Sequence, residues 1–117
     1  MESNELGTGR SPSFVELRRC PRFPLDVEIT IQSHSCGVLR GRTVDISESG
    51  IAAIVKIEVP LNEIVQLEFT LPEGAVEVGA LVRQRIAFRY GLQFVEGGPA
   101  RELIAETCWR LSRKQSQ

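Results

Sequence analysis

From Leu25 onward, apolar residues fall on every second position. Val27, Ile29 and Ile31 alternate with Asp26, Glu28, Thr30 and Gln32, the period of a strand with one face buried and the other in water. Ser33 to Gly37 has turn composition. A second strand, about 38–46, places Val44 and Ile46 on one face and Thr43, Asp45 and Ser47 on the other, so this polar set is expected to point away from the core. Ile51 to Ile57 reads as a third strand, which Pro60-Leu61-Asn62 breaks. A fourth strand has Val65, Leu67, Phe69 and Leu71 alternating with Gln66, Glu68 and Thr70, and Pro72-Glu73-Gly74 signals the next turn. In a long fifth strand Val76, Val78, Ala80, Val82, Ile86 and Phe88 alternate with Glu77, Gly79, Leu81, Arg83 and Arg85, which predicts that both arginines face outward. Tyr90 to Val95 forms a sixth.

After Gly97-Gly98-Pro99 the period lengthens. Leu103, Ile104, Thr107, Cys108 and Leu111 recur at helical spacing, with Pro99 suited to a first turn and Arg110, Arg113 and Lys114 suited to the negative end. Trp109 reads as a packing or docking residue on the flank of this helix. Short strands followed by one helix predict an all-β fold: a six-stranded antiparallel β-barrel with a C-terminal α-helix docked on it. Residues 1–16 read as a flexible tail, because Met1 to Ser13 carries Gly, Ser, Thr and Asn with almost nothing to bury; the domain is expected over 17–117.

A chain of 117 residues suits one domain, which buries roughly two thirds of its unfolded surface. Its formal net charge of −1 argues against a long, non-specific grip on nucleic acid. The charge is uneven, however: Arg10, Arg18, Arg19 and Arg22 precede the first strand, while Glu58, Glu63, Glu68, Glu73 and Glu77 dominate the middle, which leaves room for a local anion site. Cys20, Cys36 and Cys108 are odd in number and lack C-x-x-C spacing, so neither a disulfide framework nor a metal site is expected. With no apolar segment long enough to span a bilayer, the sequence reads as a cytoplasmic protein without membrane insertion.

Two short motifs flank the first hairpin. Arg18-Arg19-Cys20-Pro21-Arg22 reads R-x-x-x-R, and Asp45-Ile46-Ser47-Glu48-Ser49-Gly50 reads D-x-S-x-x-G. Pro21 disfavours a helix between the two arginines, so the first motif is expected to be a stiffened arm. Guanidinium groups are planar and carry five donors; they fork onto phosphate oxygens or guanine O6 and N7, and they stack on purine faces. Asp45 offers two acceptor oxygens that match N1–H and N2–H₂ of guanine, a pattern adenine does not present. Ser47 adds a hydroxyl, and Gly50 permits positive φ or a close backbone approach. His34, the single histidine, has no acid or thiol partner at ligand or triad spacing, and no residue set supports catalysis; a binding protein rather than an enzyme is expected.

In this order and on these elements, the two motifs resemble the PilZ domain family over about Leu17 to Trp109, with further agreement in Arg22-Phe23-Pro24 and Tyr90-Gly91-Leu92-Gln93-Phe94. The resemblance implies a split-barrel fold and a receptor for cyclic di-GMP, a bacterial second messenger, with no other cofactor. It implies that Arg18 and Arg22 contact guanine and phosphate, that Asp45 and Ser47 bind the guanine edge, and that Gly50 gives clearance. Arg19, Arg83 and Arg85 are further candidates for phosphate. Leu17 stands where an additional arginine favours a stacked ligand pair, which points to a single ligand, although Arg19 and Arg10 leave the number open. The expected mechanism is an arginine arm ordered on the barrel by the ligand, with the new surface read by an unidentified protein partner. The alternative is an interaction module on the same fold with weak or no nucleotide binding. DNA or RNA as partner is disfavoured by the charge and by an aromatic content of 6%, too low for base-stacking platforms.

Overall fold

The computed structural model describes residues 20–95 and 97–115. The expected tail and both Arg18 and Arg19 lie outside these residues. The elements are β1 (Phe23–Pro24), β2 (Glu28–Ser33), β3 (Gly37–Ile46), β4 (Gly50–Ile54), β5 (Ile64–Leu71), β6 (Gly74–Ile86), β7 (Arg89–Phe94) and α1 (Pro99–Gln115). Neighbouring strands run β3-β2-β5-β6-β7-β4, and β4 pairs back onto β3, so six antiparallel strands close into a barrel. Closure leaves no long exposed edge. The additional two-residue β1 pairs with the far end of β3, Phe23 opposite Ile46 and Pro24 opposite Asp45.

The first predicted strand is thus interrupted. Between β1 and β2 the chain is held to β3 by Leu25 N–H to Val44 O at 3.1 Å and Thr43 N–H to Val27 O at 2.9 Å. The Thr43 hydroxyl completes the seam, accepting from Val27 N–H and donating to Leu25 O. Thr43 is therefore buried, at 4% exposure, rather than outward as the alternation predicts. The cause is a β-bulge. Thr43 pairs with Ala53 and Asp45 with the adjacent Ala52, so Val44 is an extra residue and the phase of β3 inverts across it. Without that residue Asp45 would point into the barrel.

A second bulge interrupts β6: Val82 faces Leu92, the next pair is Gln84 with Gly91, and Arg83 is the extra residue. Pairing then puts Arg85 opposite the buried Tyr90 and Ile86 opposite Arg89. Ile86 and Phe88, expected inside, are 72% and 49% exposed at the tip of the β6–β7 hairpin. The core is built from Ile29, Ile31, Ile46, Ile51, Leu67, Val78 and their neighbours. Tyr90 is buried among them, its hydroxyl donating to Ile57 O and accepting from Val59 N–H, both at 2.8 Å.

Helix α1 starts at Pro99 as expected and buries Ile104, Thr107 and Cys108. Burial raises the Cys108 thiol to about 11, which makes it an inert packing group. Polar contacts to Glu48 and Glu73 help fix the helix. Arg101 Nη2 donates to the carbonyl of Glu48 at 3.1 Å, which ties the helix to the loop between β3 and β4. Glu73, in the β5–β6 turn, accepts from Thr107 Oγ1 at 2.7 Å and pairs with Arg110. The Arg110 hydrogen bond holds the Glu73 carboxyl below the ordinary glutamate range. A depressed folded-state pKa stabilises above the unfolded value, roughly 4.3, and this contribution is lost as pH falls through the folded value. Glu73→Gln is expected to cost about 1–2 kcal/mol near neutral pH. Urea unfolding from pH 7 down to pH 3 should show the gap between variant and wild type closing on the acid side.

Candidate functional site

The D-x-S-x-x-G segment is the link from β3 to β4, and its serine builds the link. Ser47 is fully buried; its N–H donates to Gly50 O at 2.8 Å, while its Oγ accepts from the N–H groups of Ser49 and Gly50 at 3.2 and 3.1 Å. A hydroxyl bonded to backbone two and three residues on is a turn-forming device. Its inward placement differs from the expected outward face because β3 ends at Ile46, so Ser47 belongs to the turn and folds back onto Ser49 and Gly50 instead of continuing the strand alternation. Gly50 is required by a close approach, not by positive φ. It pairs with Gln93, and a Cβ on it would overlap the carbonyl oxygen of Leu92.

Asp45 emerges on the outer face, with 17% of its side chain exposed. Pairing of Pro24 with Asp45 draws the preceding residues alongside, and Arg22 reaches Oδ1 with Nε at 3.0 Å and Nη2 at 2.9 Å. Arg89, at the start of β7, reaches Oδ2 with Nη2 at 3.1 Å. One residue from each motif thus meets at a single carboxylate, joined by an arginine from a third segment.

Beside this cluster lies an open cleft of about 480 Å³, within the common range for small-molecule sites. Residues paired across strands share a face, so Ala52 and Gly91, with Gly50 one step along, give a floor almost bare of side chains on β4 and β7. Arg22, Arg83, Arg89 and Gln93 also line the cleft, with Arg83 Nη1 donating to Gln93 Oε1 at 2.7 Å, and the Gln84 side chain lies against Gly91. Such a floor between guanidinium groups accommodates a flat, anionic molecule.

Of the residues expected from the sequence, Arg22, Gly50 and Arg83 line this cleft, Asp45 is not itself a lining residue but pairs with Arg22 and Arg89, which are, and Ser47 is the loop's buried internal brace. Arg85 is not among the lining residues. The bulge at Arg83 puts it on the Tyr90 face, where it pairs with Glu58 at 2.8 Å, a contact that raises its guanidinium pKa. Arg89 is the residue that sequence reasoning missed. Its signal was alternation: it stands two before Gly91 and four before Gln93, and therefore on their face.

Among the described residues no group of three or more His, Cys, Asp or Glu side chains is placed to hold a metal ion, and Cys20, Cys36 and Cys108 are free thiols. No helix among them is long and apolar enough to cross a membrane.

The chain is a small domain built as a closed antiparallel β-barrel, with a cleft lined by arginines on its outer face. The chain belongs to the PilZ domain family, whose model matches residues 16–108. The inhibitor of motility MotI/DgrA of Bacillus subtilis is similar in structure, with a TM-score of 0.74 at 20% identity over 86% of this chain and 53% of that one. The PilZ domain of Escherichia coli YcgR, solved with c-di-GMP, gives a TM-score of 0.67 at 16% identity over 84% of this chain and 93% of that one. The c-di-GMP complex of K. pneumonia MrkH gives 0.71 at 18% identity, covering 86% of this chain and 53% of that one. The chain therefore spans about half the length of MotI/DgrA and of MrkH. No curated protein sequence matches it significantly.

Proposed function

We propose that this chain is a cyclic di-GMP receptor domain, binding and regulatory rather than catalytic, that passes messenger level to a protein partner. The observation that carries the reading is the meeting of Arg22 and Asp45, one from each motif, at a cleft whose floor is Gly50, Ala52 and Gly91. Two structures similar in fold hold this ligand. Asp45 takes N1–H and N2–H₂ of one guanine, Arg22 forks onto phosphate or the O6/N7 edge, and Arg83 serves a phosphate within the same cleft. Ser47 acts by holding the loop that carries the floor. Arg18 and Arg19 close over the ligand as the arm orders, and the resulting surface is what the partner reads.

Isothermal titration with cyclic di-GMP tests the reading, and the same curve counts ligands per chain. Saturable heat at low micromolar ligand is expected, weakening as salt is raised because charge pairs hold the phosphates. Absence of heat at tens of micromolar would leave the interaction-module alternative in possession.

A further inference from the structure

Trp109 is the chain's single tryptophan, and it is 63% exposed on α1 although it stands next to the buried Cys108. Arg113 lies over the ring, 4.7 Å from its centroid, and shields one face. The rest of the indole is apolar surface that the described residues leave bare.

The neighbours of Trp109 define the flank on which it lies. Arg101, Ala105, Trp109 and Arg113 are each four apart and form one ridge along the helix. The Arg101 end of that ridge reaches the carbonyl of Glu48, in the link from β3 to β4, whereas Thr107 and Arg110, on the other flank, are held by Glu73. The Cys108 thiol, beside Trp109, is acted on by Glu48 and Cys20 after the effect of burial itself. Helix α1 also packs against β1, and the described residues begin at Cys20. The chain thus enters the barrel along the flank that carries Trp109.

The four residues before the R-x-x-x-R arm are Phe14-Val15-Glu16-Leu17. Three of them are apolar, after Met1 to Ser13, which carries almost nothing to bury. From Cys20, an extended chain reaches about 10 Å to Leu17 and about 20 Å to Phe14, enough to lie along two turns of a neighbouring helix. Glu16 complements the positive charge that Arg113 and Lys114 place at this end of α1. A segment tethered this closely acts at a millimolar effective concentration, which favours it over a separate molecule.

We propose that Phe14-Val15-Glu16-Leu17 seats on the Trp109 flank of α1, with its apolar side chains against the indole and Glu16 toward Arg113 and Lys114. The R-x-x-x-R arm is then a short span held at both ends, by this contact before Arg18 and by the β1 pairing after Arg22. Its part in ligand capture rests on the cyclic di-GMP reading above: a span anchored at both ends loses less freedom when its guanidinium groups take hold of a phosphate.

The test uses the full chain as wild type, as Phe14→Ser/Leu17→Ser, and as the control Val38→Ser, an exposed apolar position at the end of β3 far from β1. Selective excitation of indole reports Trp109 alone. In wild type and Val38→Ser the emission is expected to lie to the blue of N-acetyltryptophanamide and to be protected from acrylamide. In the double variant it should shift to the red, with quenching rising toward that of the free amide. Calorimetry should show cyclic di-GMP affinity lowered about threefold to tenfold in the double variant and unchanged in the control. Thermal unfolding should find both variants near the wild-type midpoint; should the double variant unfold early, Leu17→Ser alone is read instead, with a smaller red shift expected. Unchanged emission and quenching in the double variant overturns the seating, as does a wild-type indole quenched as freely as the amide. Protection that fades on dilution assigns the face to a second copy and overturns it too. If the seating is seen but the double variant binds cyclic di-GMP as tightly as wild type, the anchoring role is refuted and the seating stands. If wild type binds no cyclic di-GMP, the receptor reading fails and the fluorescence decides the seating by itself.

Discussion

Asp45→Ala is expected to lower cyclic di-GMP affinity by a hundredfold or more while leaving the fold intact. The side chain supplies two hydrogen bonds from a charged acceptor to one guanine edge, and losing such a pair costs about 3 kcal/mol, roughly two decades in the dissociation constant. Stability should change little: the ion pairs that Asp45 makes in the free protein are to guanidinium groups 47% and 52% exposed, and pairs of that kind contribute about 0–1 kcal/mol. The two effects separate in one experiment. Thermal unfolding without ligand should give midpoints within a few degrees of each other, and saturating cyclic di-GMP should raise only the wild-type midpoint, because a ligand that binds the native state alone stabilises it by mass action. Arg22→Ala should also lower affinity with little loss of stability, and because Arg22 and Asp45 touch each other the double variant should lose less than the sum of the two single losses. A variant that binds normally would remove Asp45 from the site.

How much of this was legible beforehand follows from the kind of signal each feature leaves. Strands with one wet face leave a period of two, and the helix leaves Pro99 followed by a period near four; these elements lie where the pattern puts them, within a few residues. The bulges leave no such mark. Neither Val44 nor Arg83 is a glycine, and a single inserted residue inverts the faces of everything beyond it. That one mechanism accounts for buried Thr43, for exposed Ile86, and for Arg85 turning to Glu58 while Arg83 reaches the cleft; Ser47 is buried because it lies past the end of β3, in the turn. The motifs were readable as chemistry because each is local. Arg89 was not, since its partner lies 44 residues away and only the closure of β4 onto β3 brings β7 to Asp45.

Gly50→Ala should destabilise the barrel even where no ligand is present. If this glycine served only to let a ligand pass, adding a methyl group would weaken binding and leave unfolding untouched. Its position says otherwise: the methyl would overlap the Leu92 carbonyl oxygen, a backbone atom in the ladder between β4 and β7, with the Gln93 Cα 3.4 Å away. Backbone in a closed barrel cannot rotate aside as a side chain does, so the two strands must separate locally. Overpacking of this kind costs about 2–3 kcal/mol. At about 4–8 °C per kcal/mol for a small domain, the unfolding midpoint should fall by roughly 10 °C or more. Because Gly50 is also floor to the cleft and accepts the Ser47 N–H, separation of β4 from β7 displaces the loop and the site together. Affinity should therefore fall with stability in Gly50→Ala, in contrast to Asp45→Ala, where affinity falls alone. Calorimetric unfolding of the two variants side by side, without ligand, distinguishes the residue that holds the barrel closed from the residue that addresses the base.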